Sequence, residues 1–317
     1  MLPSLRQLRY LVALAEHASF TRAAQACFVT QSTLSIGLKE LETGLGVCLV
    51  ERDRQTVRMT PVGTATALRA RELLAAAEDL VKSAAAEAEP MSGTVRLGLI
   101  PTIAPFLLPS LAPVLRARFP KLRLALREDL TAPLLERLAD GRLDFALIAL
   151  PFETEGLLIK TLFEDELWLV GTPADPALKA GRLTMTRQTA GRLLILEEGH
   201  CLRDHTLQAC GRSEVGSADG IEATSLATLV QMVAAGMGLA LIPELALKAG
   251  LLDSTRLLAR PLAPPAPTRT IALVARRSTA RPADFAALAE CVVQVHQRRH
   301  GSIMTSRGRR AKAASAA

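Results

Sequence analysis

Apolar residues recur every three or four positions over residues 5–17, and this spacing predicts an amphipathic helix. A second, shorter helix is predicted for FTRAAQAC at 20–27, where Ser19 is a suitable N-cap. After a turn, QSTLSIGLKELETGLG at 31–46 resumes the helical spacing. Two helices joined by a tight turn are the pattern of a helix-turn-helix.

The pattern changes after residue 46. VCLVERDRQTVRMTPVG predicts two short strands around a charged turn, which is a wing. The next stretch, TATALRARELLAAAEDLVKSAAAEAE, has no glycine or proline and predicts one helix of about seven turns. We expect an α-helical winged helix-turn-helix domain at 1–63 and a linker helix at 64–90 that favours a dimer.

Strands and helices alternate from residue 91 onward. TVRLGLI, LRLALRED and DFALIAL read as strands separated by helices, and a second such series begins near DELWLVG. This alternation predicts an α/β fold with a largely parallel sheet in two lobes. Lobe I takes residues 91–164 and 268–300, and lobe II takes 165–267. Ligands of such folds bind in the crevice at strand C-termini and helix N-termini.

The net charge of +7 over 317 residues does not by itself indicate nucleic acid. Residues 298–317 hold six basic and no acidic side chains, whereas residues 1–63 hold seven basic and five acidic ones. A DNA-binding function must therefore rest on the motif. Residues 301–317 have too few apolar residues to fold and predict a disordered basic tail.

Neither a membrane span nor a signal peptide is evident in the sequence. No apolar run reaches the length that crosses a bilayer, and the N-terminus lacks an apolar core with a cleavage site. We expect a cytoplasmic protein that has no membrane partner.

The stretch GHCLRDHTLQAC places Cys201 and Cys210 nine residues apart beside two histidines. The pair could serve packing, zinc binding or redox chemistry. A zinc site would use His200, Cys201, His205 and Cys210. However, the side chains of the adjacent His200 and Cys201 would point about 100° apart on a helix, and the spacing of the four residues is unlike that of a zinc finger. We expect no metal.

The remaining cysteines and the second histidine of this stretch read as structural or surface residues. Cys27, Cys48 and Cys291 stand singly in apolar surroundings and are assigned to packing. An odd number of cysteines in a long chain does not indicate a disulfide framework. His205 is expected to be an exposed polar residue.

Residues 5 to about 298 resemble LysR-type transcriptional regulators. The resemblance is carried by LRQLRYLVALAEHASFTRAAQ, TQSTLS, LKELETGLGVCLVER and TPVG. It implies double-stranded DNA as a partner, a linker helix that forms a homodimer, and two lobes of the periplasmic-binding-protein type. Members usually bind as homotetramers, and RNA polymerase is a further implied partner.

Within that family the chain resembles the subfamily that senses hydrogen peroxide. The matching stretches are GLIPTIAPFLLP, FPKLRL, LEEGHCLRD, ATSLATLVQMVAAGMGLALIP and RTIALVARR. The resemblance implies that Cys201 reacts with peroxide and then forms a disulfide with Cys210, without a cofactor. The residues that it assigns to the peroxide pocket are Thr102, Thr131, His200, Asp204 and Arg276.

A peroxide sensor needs a thiolate. His200, Arg203 and a helix N-terminus near Cys201 are each expected to lower the pKa of its thiol. If residues 201–210 are helical, nine residues advance about 13.5 Å and rotate two and a half turns. A disulfide needs Cα atoms within about 7 Å, so the bond would require local unfolding and would act as a switch.

The second helix of a helix-turn-helix enters the major groove. The candidate DNA contacts on this helix and on the wing are Gln31, Ser32, Thr33, Ser35, Lys39, Arg52 and Arg54. Two positions depart from the family pattern. Ser32 stands where the family usually has proline, and Gly37 stands where it often has glutamine. The operator sequence of a family member therefore cannot be assigned to this protein.

Three other functions fit parts of the sequence. A LysR-type regulator could instead respond to a small metabolite in the inter-lobe cleft, with the cysteines incidental. A thiol peroxidase would consume peroxide catalytically, but nothing resembles a peroxidase scaffold, and we expect the protein not to be an enzyme. A solute-binding module would use the lobes alone, and the helix-turn-helix disfavours it.

Overall fold

The computed structural model describes residues 2–52, 57–86, 90–179, 183–211 and 222–314. Residues 1–88 form most of one compact unit, and residues 89–317 form most of a second one.

The N-terminal unit is a winged helix-turn-helix. Its elements are α1 (Leu5–His17), α2 (Phe20–Ala26), α3 (Gln31–Leu45), β1 (Val50–Arg52), β2 (Val57–Met59) and α4 (Pro61–Ala86). The side chains of Ser4, Ser19 and Thr30 accept backbone N–H groups in the first turns of α1, α2 and α3, and so cap these helices. The strands β1 and β2 pair antiparallel and form the wing.

The linker helix α4 begins at Pro61, three residues earlier than predicted. The Thr60 hydroxyl accepts a hydrogen bond from the backbone N–H of Gly63 at 2.9 Å. Proline at the first helical position has a fixed φ that suits a helix start. The cap and the proline together explain the earlier start.

Gly37 lets α1 and α3 approach closely. A Cβ at this position would lie 2.8 Å from two ring carbons of Tyr10. Tyr10 is only 3% exposed, so its ring has little room to move. Glycine costs about 1 kcal/mol of helix stability relative to alanine. Close packing against Tyr10 is a physical reason for glycine at this position.

The second unit contains the alternating strands and helices that the sequence predicts. Its elements are β3 (Gly93–Leu99), α5 (Ala104–Arg118), β4 (Leu122–Glu128), α6 (Thr131–Ala139), β5 (Phe145–Leu150), β6 (Leu157–Gly171), a 3-10 turn (Pro176–Leu178), α7 (Arg187–Ala190), β7 (Ile195–Leu196), α8 (Cys201–Ala209), β8 (Glu222–Ala223), α9 (Leu226–Ala234), β9 (Ala240–Pro243), α10 (Glu244–Lys248), β10 (Leu258–Pro261), β11 (Thr268–Arg276) and α11 (Pro282–Ala314).

The main sheet is mixed, whereas the sequence predicted a largely parallel one. Strands β4, β3 and β5 are parallel neighbours, but β11 runs antiparallel to both β5 and β6. The strand β6 pairs with β11 up to Glu166, and from Leu167 it pairs with β9 and β10 on its two edges. We call the part around β3, β4, β5 and β11 the first lobe, and the part around β7, β8, β9 and β10 the second lobe.

Apolar residues fill the interior of the second unit. Residues 145–149 of β5 are completely buried, as expected for a strand covered on both faces. The last helix, α11, continues to Ala314, into the segment whose composition predicts disorder. Among the described residues, no helix has the length and apolarity needed to cross a membrane.

We predict that Gly37→Ala destabilises the N-terminal unit by about 1–3 kcal/mol, because overpacking against Tyr10 outweighs the gain in helix propensity. Hydrogen–deuterium exchange of peptides from α1 and α3 in the full-length protein measures this. Gly44→Ala is the matched control, since Gly44 lies in the same helix and its added Cβ would meet nothing within 4 Å. Gly44→Ala should slow exchange, and equal effects of both variants would contradict the packing argument.

Candidate functional site

Cys201 is the first residue of α8 and lies where the two lobes meet. Gly199, with a φ of +94°, precedes the N-cap residue His200. Thr131 is the first residue of α6 in the first lobe, and its Oγ1 lies 2.7 Å from the Sγ of Cys201. Both side chains are buried. The N-termini of two helices, one from each lobe, therefore meet at the sulfur, and their dipoles favour negative charge there.

A buried arginine supplies positive charge to this site. Arg269, 1% exposed, donates from Nη1 to the Oγ1 of Thr102 at 2.7 Å and from Nη2 to the Thr102 carbonyl at 3.1 Å. Its Nε and Nη2 also donate to Oδ2 of Asp165 at 3.0 and 2.8 Å. The other carboxylate oxygen of Asp165 accepts the backbone N–H of Leu245. Arg269 therefore links the two lobes beside the thiol.

Burial raises the pKa of the Cys201 thiol above its ordinary value. The hydrogen bond with Thr131 and the charge of Arg269 lower this pKa, but they offset only part of the effect of burial. The sequence predicted a lowered pKa, and that prediction is wrong because the sulfur is removed from water. At neutral pH most of the Cys201 is therefore the protonated thiol.

The two cations expected to activate Cys201 do not do so. Burial lowers the pKa of His200, the nearby carboxylate of Glu197 offsets only part of this, and the ring is therefore mainly neutral at pH 7. Arg203 donates to the Leu196 carbonyl at 3.0 Å and to Glu222 at 2.5 Å. Arg203 is therefore held along the β7–β8 side of α8.

Cys210 lies at the other end of the same helix. It is the C-cap residue of α8, and burial raises the pKa of its thiol. Both cysteines are free thiols. The unbroken helix between them places their Cα atoms about 13.5 Å apart, roughly twice the limit for a disulfide. Gly211, with a φ of +73°, follows at once.

Arg276 is not in the site, contrary to the resemblance. Its Nη1 donates to the carbonyl oxygens of Leu138 and Leu143, at 2.5 and 3.0 Å. It lies at the opposite end of β11 from Arg269, and seven residues of strand span about 23 Å. The motif RTIALVARR contains both arginines, and the resemblance pointed to the wrong one.

Two more sequence expectations concern α8. Asp204 is exposed, and its charge raises the pKa of Cys201, so its place in the peroxide pocket stays a prediction. His205 is 6% exposed rather than a surface residue. Its Nδ1 lies 2.6 Å from the Cys201 carbonyl oxygen, and its Nε2 lies 2.7 Å from that of Leu150.

The other cysteines differ in their surroundings. Cys291 is fully buried and Cys27 is half-buried, but Cys48 is exposed, so the prediction that it packs in a core is wrong. Among the described residues, no group of three or more His, Cys, Asp or Glu side chains is arranged to hold a metal ion.

Sequence reasoning missed Arg269 and Asp165, although a signal was present. In β11, Arg269 alternates in phase with Ile271 and Leu273, which are completely buried. A charged residue in phase with core positions indicates a buried ion pair. Its partner was not visible, because Asp165 faces it across β11 and β6 from 104 positions away.

The candidate DNA contacts of α3 lie mainly on its exposed side. Gln31, Ser32, Thr33 and Lys39 are exposed, whereas Ser35 is half-buried. This is the side opposite the leucines that face α1 and α2, as expected for a helix that reads a groove. Arg54 lies outside the described residues, and Arg52 is the last residue of β1.

Sequence reasoning also passed over Ile36. This side chain is 59% exposed on the same side of α3, one turn from both Ser32 and Lys39. An apolar side chain there suits the methyl group of thymine.

The fold and the site define a winged helix-turn-helix regulator with a two-lobed sensory unit. The family profile "Bacterial regulatory helix-turn-helix protein, lysR family" matches residues 5–64, and "LysR substrate binding domain" matches residues 88–297. The chain belongs to the LysR family of bacterial transcriptional regulators and, within it, to the OxyR group.

Individual proteins show the same likeness. The regulator EstR of Acinetobacter baylyi is 45% identical over 90% of this chain and 94% of its own length. A "Probable hydrogen peroxide-inducible genes activator" of Streptomyces viridosporus is 43% identical over 90% and 92%. Full-length OxyR of Pseudomonas aeruginosa, solved as a cysteine-to-aspartate variant, has a TM-score of 0.76 with 34% identity, covering 92% of this chain and 95% of that one.

The raised pKa of Cys201 generates a pH prediction. Because the thiol is mostly protonated near neutrality, the thiolate fraction should rise about tenfold per pH unit until pH reaches the pKa. We expect the rate constant for oxidation of Cys201 by hydrogen peroxide to rise nearly tenfold between pH 6.5 and 7.5. Rapid-quench alkylation followed by peptide mass spectrometry measures it. A flat profile would indicate a lowered pKa and would refute this reading.

The two arginines of β11 make a matched pair of variants. Arg269→Gln should slow oxidation of Cys201 about tenfold or more, because a charge that favours the thiolate is lost. Arg276→Gln should change the rate less than about twofold, because the carbonyl groups of Leu138 and Leu143 that this side chain bonds lie at the opposite end of β11 from Arg269. Circular dichroism checks that both variants fold. Equal slowing by the two substitutions would show that the effect comes from damage to β11 rather than from the charge.

Proposed function

We propose that this protein is a DNA-binding transcription regulator that senses hydrogen peroxide through Cys201 and Cys210. One arrangement carries the proposal. A buried thiol lies between two helix N-termini, 2.7 Å from the Thr131 hydroxyl and in the field of Arg269, with a second thiol at the end of the same helix. The likeness to OxyR proteins supports the same chemistry.

The first step oxidises Cys201. Its thiolate sulfur attacks one oxygen of hydrogen peroxide, an S–O bond forms and the O–O bond breaks. The second oxygen leaves as hydroxide and takes up a proton to become water. The hydroxyl of Thr131 can hydrogen-bond to the peroxide, and the Arg269 charge stabilises the negative charge that moves across the O–O bond. The product is a sulfenic acid.

The second step joins the two cysteines. The Cys210 sulfur attacks the sulfenic sulfur, an S–S bond forms and the S–O bond breaks. The oxygen leaves as water with the proton from the Cys210 thiol. Peroxide is reduced to two waters while two thiols are oxidised to one disulfide. Since an intact α8 holds the Cα atoms too far apart, this step requires the helix to unwind.

Unwinding of α8 is the proposed signal to the DNA-binding unit. A segment with two mutually exclusive packings is suited to change contacts between subunits. The exposed leucines Leu68, Leu73 and Leu80 of α4, at 52, 56 and 71% exposure, support a homodimer. A homotetramer and contact with RNA polymerase are proposed from family membership alone.

A response to a small metabolite is a second candidate, because the buried Cys201 has a raised pKa and is a weak nucleophile at pH 7. This reading predicts that a Cys201→Ser variant still changes its DNA binding when the metabolite is added. We propose that the protein is not an enzyme, and sustained peroxide consumption with a dithiol reductant at enzyme-like rates would show otherwise.

The disulfide is the direct test. Reduced protein receives about one equivalent of hydrogen peroxide, and non-reducing peptide mass spectrometry maps its thiols. We expect a Cys201–Cys210 disulfide, with Cys27, Cys48 and Cys291 still reduced, because Thr131 and Arg269 are placed to assist oxidation of Cys201. Cys291, whose sulfur accepts from Arg118 at 3.6 Å, is fully buried. Cys210→Ser should stop at the sulfenic acid, and Cys48→Ser, which removes an exposed thiol, should leave the disulfide unchanged. Slow oxidation of all five cysteines would exclude the sensor.

A further inference from the structure

His205 connects the redox helix to the opposite lobe. The side chain is 6% exposed and lies one turn after Cys201 in α8. One ring nitrogen, Nδ1, is 2.6 Å from the carbonyl oxygen of Cys201. The other, Nε2, is 2.7 Å from the carbonyl oxygen of Leu150, the last residue of β5 in the first lobe. Carbonyl oxygens only accept, so a ring nitrogen donates to its carbonyl only when it carries a proton, and both bonds form together only when both nitrogens are protonated. The bond to Leu150 requires the proton on Nε2.

Among the described residues, two side-chain hydrogen bonds thus hold α8 against the first lobe. They are the contact between Thr131 and the Cys201 sulfur and the contact between His205 and Leu150. Oxidation of the sulfur changes the atom that Thr131 touches, but it leaves both carbonyl partners of His205 unchanged. After the first oxidation step, the bond between Thr131 and Cys201 is therefore altered, whereas the bond from His205 to Leu150 is not.

We propose that His205 is a positioning residue that slows disulfide closure by keeping α8 folded and attached to the first lobe. This inference rests on the proposed function, since it concerns the second step of that redox reaction. His205 lies between the two cysteines, so bringing them together separates its ring from the Cys201 carbonyl or from Leu150. His205 thereby sets how long the sulfenic acid of Cys201 persists before Cys210 reaches it.

Three substitutions separate the two bonds of His205. Gln places its amide nitrogen near the position of Nε2 and can keep the bond to Leu150. Asn places its nitrogen near the position of Nδ1 and can keep only the bond within α8. Phe fills the space of the ring without a donor. Thr206→Val is the matched control, because the buried Thr206 hydroxyl donates at 2.7 Å to Leu202 inside the same helix and not to the first lobe.

The experiment times the two redox steps in full-length protein. Sulfenic acid formation is followed in a Cys210→Ser background, and disulfide closure is followed by rapid quench and peptide mass spectrometry with both cysteines present. We expect His205→Phe and His205→Asn to close the disulfide about 5 to 30 times faster than the natural protein, as one or two lost hydrogen bonds allow. His205→Gln and Thr206→Val should stay within about twofold, and the first step should not change.

Other outcomes overturn the inference. Closure by His205→Phe at the natural rate would show that the bonds do not restrain α8. Equal acceleration by His205→Gln or Thr206→Val would show a general weakening of the helix instead. These results would leave the proposed function intact, whereas its failure would appear separately as the absence of a Cys201–Cys210 disulfide in the natural protein.

Discussion

The buried guanidinium of Arg269 is the interaction on which the sensory unit depends. An uncompensated charge cannot stay in a protein interior, so Thr102 from the first lobe and Asp165 from β6 must both remain in place around it. Asp165 in turn accepts the backbone N–H of Leu245, in the first turn of α10 in the second lobe. Removing one partner of such a pair typically costs about 3–5 kcal/mol. The same charge that ties the lobes together is also the one that acts on Cys201.

Burial and reactivity oppose each other at Cys201. Removing the sulfur from water raises the pKa of the thiol, while Thr131 and Arg269 act in the other direction. A buried, mostly protonated thiol is protected from bulky oxidants and reacts through a small thiolate fraction. Donors that are already in position then matter more than the average charge of the thiol, because they stabilise the transition state without rearranging.

Local patterns allowed much of the architecture to be predicted. The helix-turn-helix, its Ser19 cap, the wing, the linker helix and the start of a helix at Cys201 all follow from spacing and capping over a few residues. The contacts that complete the site could not be found in this way. Arg269 meets Asp165 across two strands, and His205 meets Leu150 across 55 positions. Such pairings depend on the topology of a mixed sheet, which alternation of strands and helices does not specify.

Glycines with positive φ lie at both ends of the segment that holds α8, at Gly199 and Gly211. Residues that adopt this backbone conformation without strain can absorb a change of chain direction. The eleven residues between them can therefore be rebuilt while β7 stays in place. The oxidant dose that triggers a response is then set within this one short segment. Bacteria exposed to different peroxide levels could adjust that dose by varying a few positions such as His205, without altering the operator or the subunit contacts.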